Sequence, residues 1–520
     1  ATYLREHERL TGVKLSCREG GCGACTVLLR RPGERHAVAI NACLRLLAAC
    51  DGCEVTTVEG IGSAASPHPF QRRLANANGS QCGFCSPGMV AAIVGLLETT
   101  GGRPSAQQVE HALDGNLCRC TGYRRILDAA QELVAAGQAT ARAAVDLVSQ
   151  TACDGSADEC CEAEQAARAS EKVRSRPRPP APLDDIEDLM KLCHAHDQVP
   201  PDPARPGDRP AAHGMRCNGR RSSRTTPIVP LPSTTGGAPA VPSWYAPTTL
   251  AEAMSLLTAI AGSELVGANT ANVGVAKYYD GRSTGGALPT PPSAYIATEA
   301  IAELSAVLDL PDGSLTLGAA VPLATLLKLA EERATRRPGC RWAAVASPLH
   351  RVANTQVRAV GTVGGNLMLA HAYGRFPSDV ALLLSVLGAT VSLCDAASHE
   401  CVRSMAIPAF YATRDMAKKL LVAVHVPAPP STGTELVFTY KVALRAQNAH
   451  ALIHAGFAFV VDSRTKMRVS ATRAFYGGLR QHEVTSAAAA AVALVGKPLG
   501  DPTALGDALA ALGPLVTSLD

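Results

Sequence analysis

Eight cysteines fall in two spacings that could hold iron. The first is Cys17-x4-Cys22-x2-Cys25, with a further cysteine downstream. A rhombic iron–sulfur cluster sits in a loop whose backbone wraps it closely, so glycines belong between the ligands. Gly20, Gly21 and Gly23 supply them: they tolerate positive φ and let amide N–H groups face the sulfides. The x4–x2 spacing is that of plant-type [2Fe–2S] ferredoxins. Zinc also takes four thiolates, but its sites pair two short knuckles instead of one three-cysteine loop with a distant fourth ligand. On spacing alone Cys43, Cys50 and Cys53 could each close the set. Cys43, in NACL just after a strand-like run, is our choice.

The second constellation is Cys82-x2-Cys85 with Cys118-x-Cys120. QCGFCSPGM opens one expected helix and GNLCRCTGY another, which puts four thiols against positive dipole ends and favours thiolates. The C-x-C pair is too tight for an ordinary zinc knuckle, and no βαβ pattern supports a thioredoxin-like site. Cys153, Cys160, Cys161, Cys193 and Cys217 read as incidental thiols, and Cys340, Cys394 and Cys401 as packed or surface thiols.

Two glycine-containing turns further on could approach a diphosphate, LVGANT at 265–270 and TVGGN at 362–366. Each follows a strand, so backbone N–H groups could hold the charge. Neither is G-x-G-x-x-G, and each alone reads better as a plain turn. Their value lies in their combination behind two cluster motifs.

The elements that must position these residues divide into zones. Residues 1–62 mix glycine turns with strands at 26–31 and 55–61, and residues 66–150 read as helices. MVAAIVGLLE at 89–98 is apolar all round and should be buried. Ser105 with Gln108 forms a capping box, and a further helix runs from Ile126 to Ala136. Residues 151–240 are Pro-rich without a hydrophobic period and read as a disordered linker, with a short helix possible at Leu183–Cys193. From Ser243 onward helices and strands alternate: a helix at Thr249–Ile260, strands in ELVGANT and SLTLGAAV, a helix in VPLATLLKLAEER, and a helix feeding a strand in ALLLSVLGATVSLC.

Composition bounds the rest. A net charge of +4 over 520 residues demands neither nucleic acid nor an acidic membrane, and the basic stretch Arg174–Arg224 reads as solvated linker. No window offers the roughly 20 unbroken apolar residues of a membrane span, and the start lacks the apolar core of a signal peptide. Eighteen cysteines in so long a chain point to metal ligation in a reducing, cytoplasmic compartment.

REGGCGACTV, NACL, TTVEGIG, QCGFCSPGM and GNLCRCTGYRRIL together resemble the xanthine dehydrogenase/aldehyde oxidase family of molybdenum hydroxylases, closely over 1–136 and loosely over 243–480. The resemblance implies a multidomain α+β chain. Its expected parts are a clipped plant-ferredoxin-like β-grasp [2Fe–2S] domain (1–62), a helical [2Fe–2S] domain (66–150), the linker (151–240), an α+β FAD-binding domain of the vanillyl-alcohol-oxidase/PCMH type (243–425) and a C-terminal α+β subdomain (434–520). It makes Cys43 the fourth ligand of the first cluster and gives Cys82, Cys85, Cys118 and Cys120 to a second cluster beside a molybdopterin, with Gln81 bonding the pterin. It places FAD on Leu265, Val266, Gly267, Ala268, Asn269, Thr270, Gly364, Gly365 and Asn366, with Asp379 and Lys441 near the flavin ring. Ala268 stands where the family has glycine, which should strain that turn. Arg125 stands where it usually has proline. LRAQNAHA lacks the family's acidic pair, which leans the acceptor toward O2 over NAD.

The implied function is electron transfer from a molybdopterin-binding domain or subunit through two [2Fe–2S] clusters to FAD, then to O2 or NAD, in a homodimeric enzyme. No catalytic acid, base or nucleophile for hydroxylation can be named; His350, His371, His450 and His454 read as structural or surface residues. The rival readings are a stand-alone electron-transfer subunit and a cofactor-poor remnant.

Overall fold

A four-stranded antiparallel sheet, its strands in the order Val38–Asn41, Thr26–Arg30, Glu54–Thr56 and Gly214–Arg216, frames the first cysteine loop in the computed structural model. The structure describes residues 1–135, 214–216, 242–279, 291–413, 415–462, 467–478 and 484–517. The sheet's strands are β1 (Thr26–Arg30), β2 (Val38–Asn41), β3 (Glu54–Thr56) and β4 (Gly214–Arg216). β1 begins one residue after Cys25, so the ligand loop is anchored where the strand starts. The expected strand over 55–61 ends at Thr56: Val58–Ile61 forms a helical turn, α2, because Glu59 turns back to accept from Thr57 Oγ1 and the Gly12 amide. A short helix, α1 (Thr2–Glu6), precedes the loop where only strands and turns were expected.

Four helices follow: α3 (Pro69–Asn76), α4 (Ser86–Thr99), α5 (Ala106–Ala112) and α6 (Arg124–Ala135). α4 is buried along most of its length, as its all-round apolar sequence requires. Its Gly95 lets it lie on β2, where an added Cβ would come within 3.0 Å of Ala39. The Ser105–Gln108 capping box starts α5. Of the linker expected over 151–240, only Gly214–Arg216 lie among the described residues; they pair with β3 as an edge strand. The possible helix at Leu183–Cys193 lies outside the described residues.

The remaining chain builds three sheets. β5 (Ser243–Tyr245), β7 (Ala294–Ala297) and β6 (Ser263–Val266) are parallel, in that order. β8 (Val307–Asp309), β9 (Leu315–Gly318), β10 (Thr390–Asp395), β11 (Cys401–Ala406) and β12 (Lys419–Val426) form an antiparallel sheet in the order β11-β10-β12-β9-β8. β13 (Thr434–Ala443), β14 (Ala451–Asp462), β15 (Arg468–Gly477) and β16 (Thr485–Ser486) form an antiparallel sheet in chain order. The helices expected within Thr249–Ile260 and VPLATLLKLAEER span Leu250–Ala259 and Leu323–Arg336, and Asp379–Val386 feeds β10. TVGGN is a helix start, not a free turn: Thr362 caps a helix running Val363–Ala372. Cys394 and Cys401, expected as thiols, are register partners on β10 and β11 and form a disulfide.

Shared apolar clusters join these parts. Leu28, Ala37 and Ala39 of the first sheet pack with α4, α5 and α6, and Ala268 and Val360 pack with Cys25, Val27 and Ile40.

Candidate functional site

The thiols meet in pairs. Cys17 bonds Cys22 and Cys25 bonds Cys43 in the first set; Cys82 Sγ lies 3.4 Å from Cys120 Sγ, and Cys85 bonds Cys118, in the second. Cys50 and Cys53 turn away, onto backbone carbonyls of Leu46, Ala49 and Asp51. Among the described residues no group of three or more His, Cys, Asp or Glu is placed to hold a single ion. Two pairs side by side suit a two-iron cluster instead, each iron taking two thiolates and two bridging sulfides.

The loop geometry fits that group. Arg18, Gly20 and Gly23 all take positive φ, at 58°, 77° and 68°. This curls the backbone so that the amides of Glu19, Gly21 and Cys22 point at Cys17 Sγ, and that of Gly20 at Cys43. The bond from Cys22, ahead of those amides, holds the Cys17 thiol down to about 5 against the opposing effect of burial. Cys25 is likewise lowered by its bond from Cys43, while Cys22 and Cys43, as the donors, are raised.

The second set departs from expectation in one respect. Cys85 caps α4, but Cys118 and Cys120 lie on a turn that ends several residues before α6. Burial pushes the Cys118 thiol up, and it still falls below its usual range because the Thr121 hydroxyl and amide bond its sulfur. Burial, then the bond to Cys118, raises Cys85 to about 12. Cys82 and Cys120 are exposed beside exposed Gln81, Phe84 and Leu117.

The two sets are joined by backbone. Leu117 N–H, one residue before Cys118, donates to Cys22 O at 2.8 Å. Asn116 Nδ2 donates to Gly23 O at 3.1 Å, and an added Cβ on Gly88 of α4 would lie 2.3 Å from that same oxygen.

On the other side of the first loop lies a cavity of about 620 Å³, within the range of cofactor pockets. Glu19 and Gly20 line it, as do Leu265, Val266, Gly267, Ala268, Asn269, Thr270, Gly364, Gly365, Asn366 and Asp379. Asn269, not Ala268, takes the left-handed conformation (φ 60°), which asparagine tolerates, so the expected strain at Ala268 is absent. Asn269 also donates to Leu44 O, beside Cys43. The two glycine turns differ in what they offer. Gly267–Thr270 carry no backbone bond on their amides among the described residues, leaving these donors for a diphosphate. At the second turn the amides of Val363, Gly364, Gly365 and Asn366 are all taken, by Val321 O, Ala319 O, Thr362 Oγ1 and Thr362 O. Its glycines give closeness, not donors: a Cβ on Gly364 would lie 2.6 Å from Ala319 Cβ.

Lys441 lies outside this cavity, behind Asp379, and its Nζ donates to Asp379 Oδ2 at 2.6 Å. His454 Nδ1 meets Asp379 Oδ1 at 2.7 Å; this histidine, read from sequence as structural or surface, is 1% exposed. Burial pushes the Asp379 carboxyl up, but His454 and Lys441 outweigh it and hold it below the usual range. His350 and His371 are structural, bonded to Glu331 and to Thr413 O.

The sequence also missed the turn that ties the three parts together. Asn354 Nδ2 donates to Gly20 O at 2.8 Å, Thr355 Oγ1 to His111 O at 2.8 Å and Gln356 Nε2 to Asn116 Oδ1 at 2.7 Å. Asparagine before a short helix signals a cap, and Asn354 is one, but no sequence pattern distinguishes a cap from an interface residue.

Residues 57–131 match a [2Fe-2S] binding domain, 239–429 an FAD binding domain in molybdopterin dehydrogenase, and 438–518 a CO dehydrogenase flavoprotein C-terminal domain. A xanthine dehydrogenase from Blastobotrys adeninivorans is 54% identical over 132 residues, covering 25% of this chain and 9% of that protein. Aldehyde oxidase 2 from Cavia porcellus is 33% identical over 478 residues, covering 88% of this chain and 31% of its own length. The chain thus spans about a third, or less, of the length of these relatives. A solved carbon monoxide dehydrogenase from Hydrogenophaga pseudoflava is 20% identical, with a TM-score of 0.41 over 53% of this chain and 87% of that one.

Proposed function

Because the chain belongs to the xanthine dehydrogenase/aldehyde oxidase family of molybdenum hydroxylases, we propose that it is the electron-relay portion of such an enzyme. Its two [2Fe–2S] clusters would pass single electrons, and FAD would collect two for delivery to an acceptor. One observation carries the reading. The loop Glu19–Cys22 lines the flavin cavity at Glu19 and Gly20, and at Cys22 it accepts the bond that leads to Cys118. This supports an order of transfer in which the first ligand set stands between the second set and the flavin.

The residues take these roles. Cys82, Cys85, Cys118 and Cys120 hold the outer cluster; the exposure of Cys82, Cys120, Phe84 and Leu117 gives electrons a point of arrival where a molybdopterin-binding domain or subunit docks, with Gln81 at its rim. Cys17, Cys22, Cys25 and Cys43 hold the inner cluster. Gly267–Thr270 bind the diphosphate through their amides, Leu265 and Val266 lead into that turn, and Gly364, Gly365 and Asn366 give it room. Asp379, backed by Lys441 and His454, fixes the flavin-ring side. Residues 1–62 are read as a ferredoxin-like β-grasp domain, 66–150 as the helical cluster domain, 243–425 as a vanillyl-alcohol-oxidase-like FAD domain and 434–520 as its C-terminal subdomain. Asn448 bonds Gly21 O in a segment without the family's acidic pair, which favours O2 over NAD as acceptor. A homodimer in the cytoplasm is the setting this reading implies.

Iron and flavin analysis with electron paramagnetic resonance of the dithionite-reduced chain tests it. Two distinct [2Fe–2S] signals and bound FAD are expected; bound zinc, or one signal alone, would sink the assignment.

A further inference from the structure

Clusters deliver electrons without protons, so flavin reduction in this cavity needs a separate proton source. Among the described residues the cavity lining has one imidazole, His450. Its Nδ1 lies 2.8 Å from Tyr279 Oη, and Phe376 packs edge-on against both rings, at 5.4 and 5.7 Å between centroids. With Nδ1 so engaged, Nε2 is the nitrogen left for the cavity. Asn448, two residues earlier, bonds Gly21 O of the inner cluster loop, which places His450 near the point where electrons would arrive.

We propose that Tyr279 and His450 form a proton relay into the flavin site, an inference that rests on the reading of the cavity as the FAD site. As two electrons arrive from the clusters, His450 gives one proton from Nε2 to the flavin ring and takes one at Nδ1 from Tyr279 Oη. Water restores the Tyr279 proton, reoxidation hands the two electrons and the proton to the acceptor, and the solvent-exposed imidazole returns to its starting tautomer by giving up Nδ1–H to water and taking a proton from water at Nε2. The imidazole need never become cationic. That suits its surroundings: the residue keeps an exposed edge, yet loss of water from the rest of the ring is the main cause lowering its affinity for a second proton, Lys441 and Arg445 add to it, and Asp379 opposes. Burial raises Tyr279 to about 12, so its hydroxyl keeps its proton at neutral pH.

Of the other charged groups in the lining, three are held by partners; Glu264 and Lys418 line it as well. Asp379 is held by Lys441 and His454, Lys419 by Asp395 and Asp415, and Glu19 by Tyr278 Oη.

The test uses the FAD-loaded full chain at saturating dithionite, following flavin bleaching in H2O and D2O. Tyr279→Phe and His450→Gln should retain FAD, bleach on the order of 10²-fold more slowly, and show a changed solvent isotope effect. Free imidazole should restore the rate of His450→Ala. Normal FAD occupancy with unchanged bleaching and isotope effect in both variants would overturn the relay alone. A wild-type chain that takes up no FAD would overturn the cavity reading and the relay with it. Should a variant lose FAD, the remaining variant and the imidazole rescue decide.

Discussion

At the scale of single residues, the two ligand sets should be separable. Cys85→Ser is expected to remove the outer cluster's paramagnetic signal and leave the inner one, and Cys25→Ser the reverse. Asp379→Asn should be costlier than either for the flavin part. It leaves Lys441 and His454 without their shared carboxylate, a loss of about 3–5 kcal/mol for a buried pair, read as a lower melting temperature with reduced FAD retention. The meeting of these thiols was legible because the loop compresses its chemistry into a short span: three cysteines and three glycines fall in the nine residues from Cys17 to Cys25. Asp379 and His454 are 75 positions apart, and only the packing of the helix Asp379–Val386 against β14 brings them together. Nothing local in the sequence encodes that meeting.

At the scale of elements, α3 offers a pH test. His68 starts that helix by accepting from the Phe70 amide through Nδ1, and burial lowers its pKa from 6.5 to about 4. Protonation destroys the acceptor. The helix therefore has its full stability above pH 6.5 and loses it progressively as pH falls toward 4, by about 3 kcal/mol in all. His68→Asn keeps an acceptor at the cap and should flatten this dependence in a series of denaturant melts. Gly88→Ala on α4 presses a methyl onto Gly23 O and should cost about 1–3 kcal/mol. It should also shift the inner cluster's signal although α4 carries an outer-cluster ligand. The helices of 86–135 were legible from capping boxes and apolar runs, since both are local signals. The helical turn at Val58–Ile61 was not. Its residues favour a strand, and a Glu59 bond to Gly12, 47 positions away, overrides them.

At the scale of the whole molecule, the Asn354–Gln356 turn sets the distances that matter. Gln356→Ala would leave buried Asn116 Oδ1 without its donor, costing about 1–3 kcal/mol. Rapid-reduction kinetics should then show slower passage of electrons between the cluster signals and the flavin, with both cofactor contents unchanged. The buried ion pair of Arg45 with Glu299 ties the inner cluster's domain to the flavin domain in the same way. Such contacts join chain segments more than 200 positions apart and carry no periodicity, so sequence could divide the chain into parts without docking them. The backbone bond from Leu117 to Cys22 has a further consequence. Two charge-storing centres this tightly joined cannot fill independently, because an electron held on one raises the cost of placing another beside it. A potentiometric titration should therefore give two midpoints that belong to the pair. Altering the environment of either cluster should move both, and the chain would behave less as two stepping stones than as a single small capacitor.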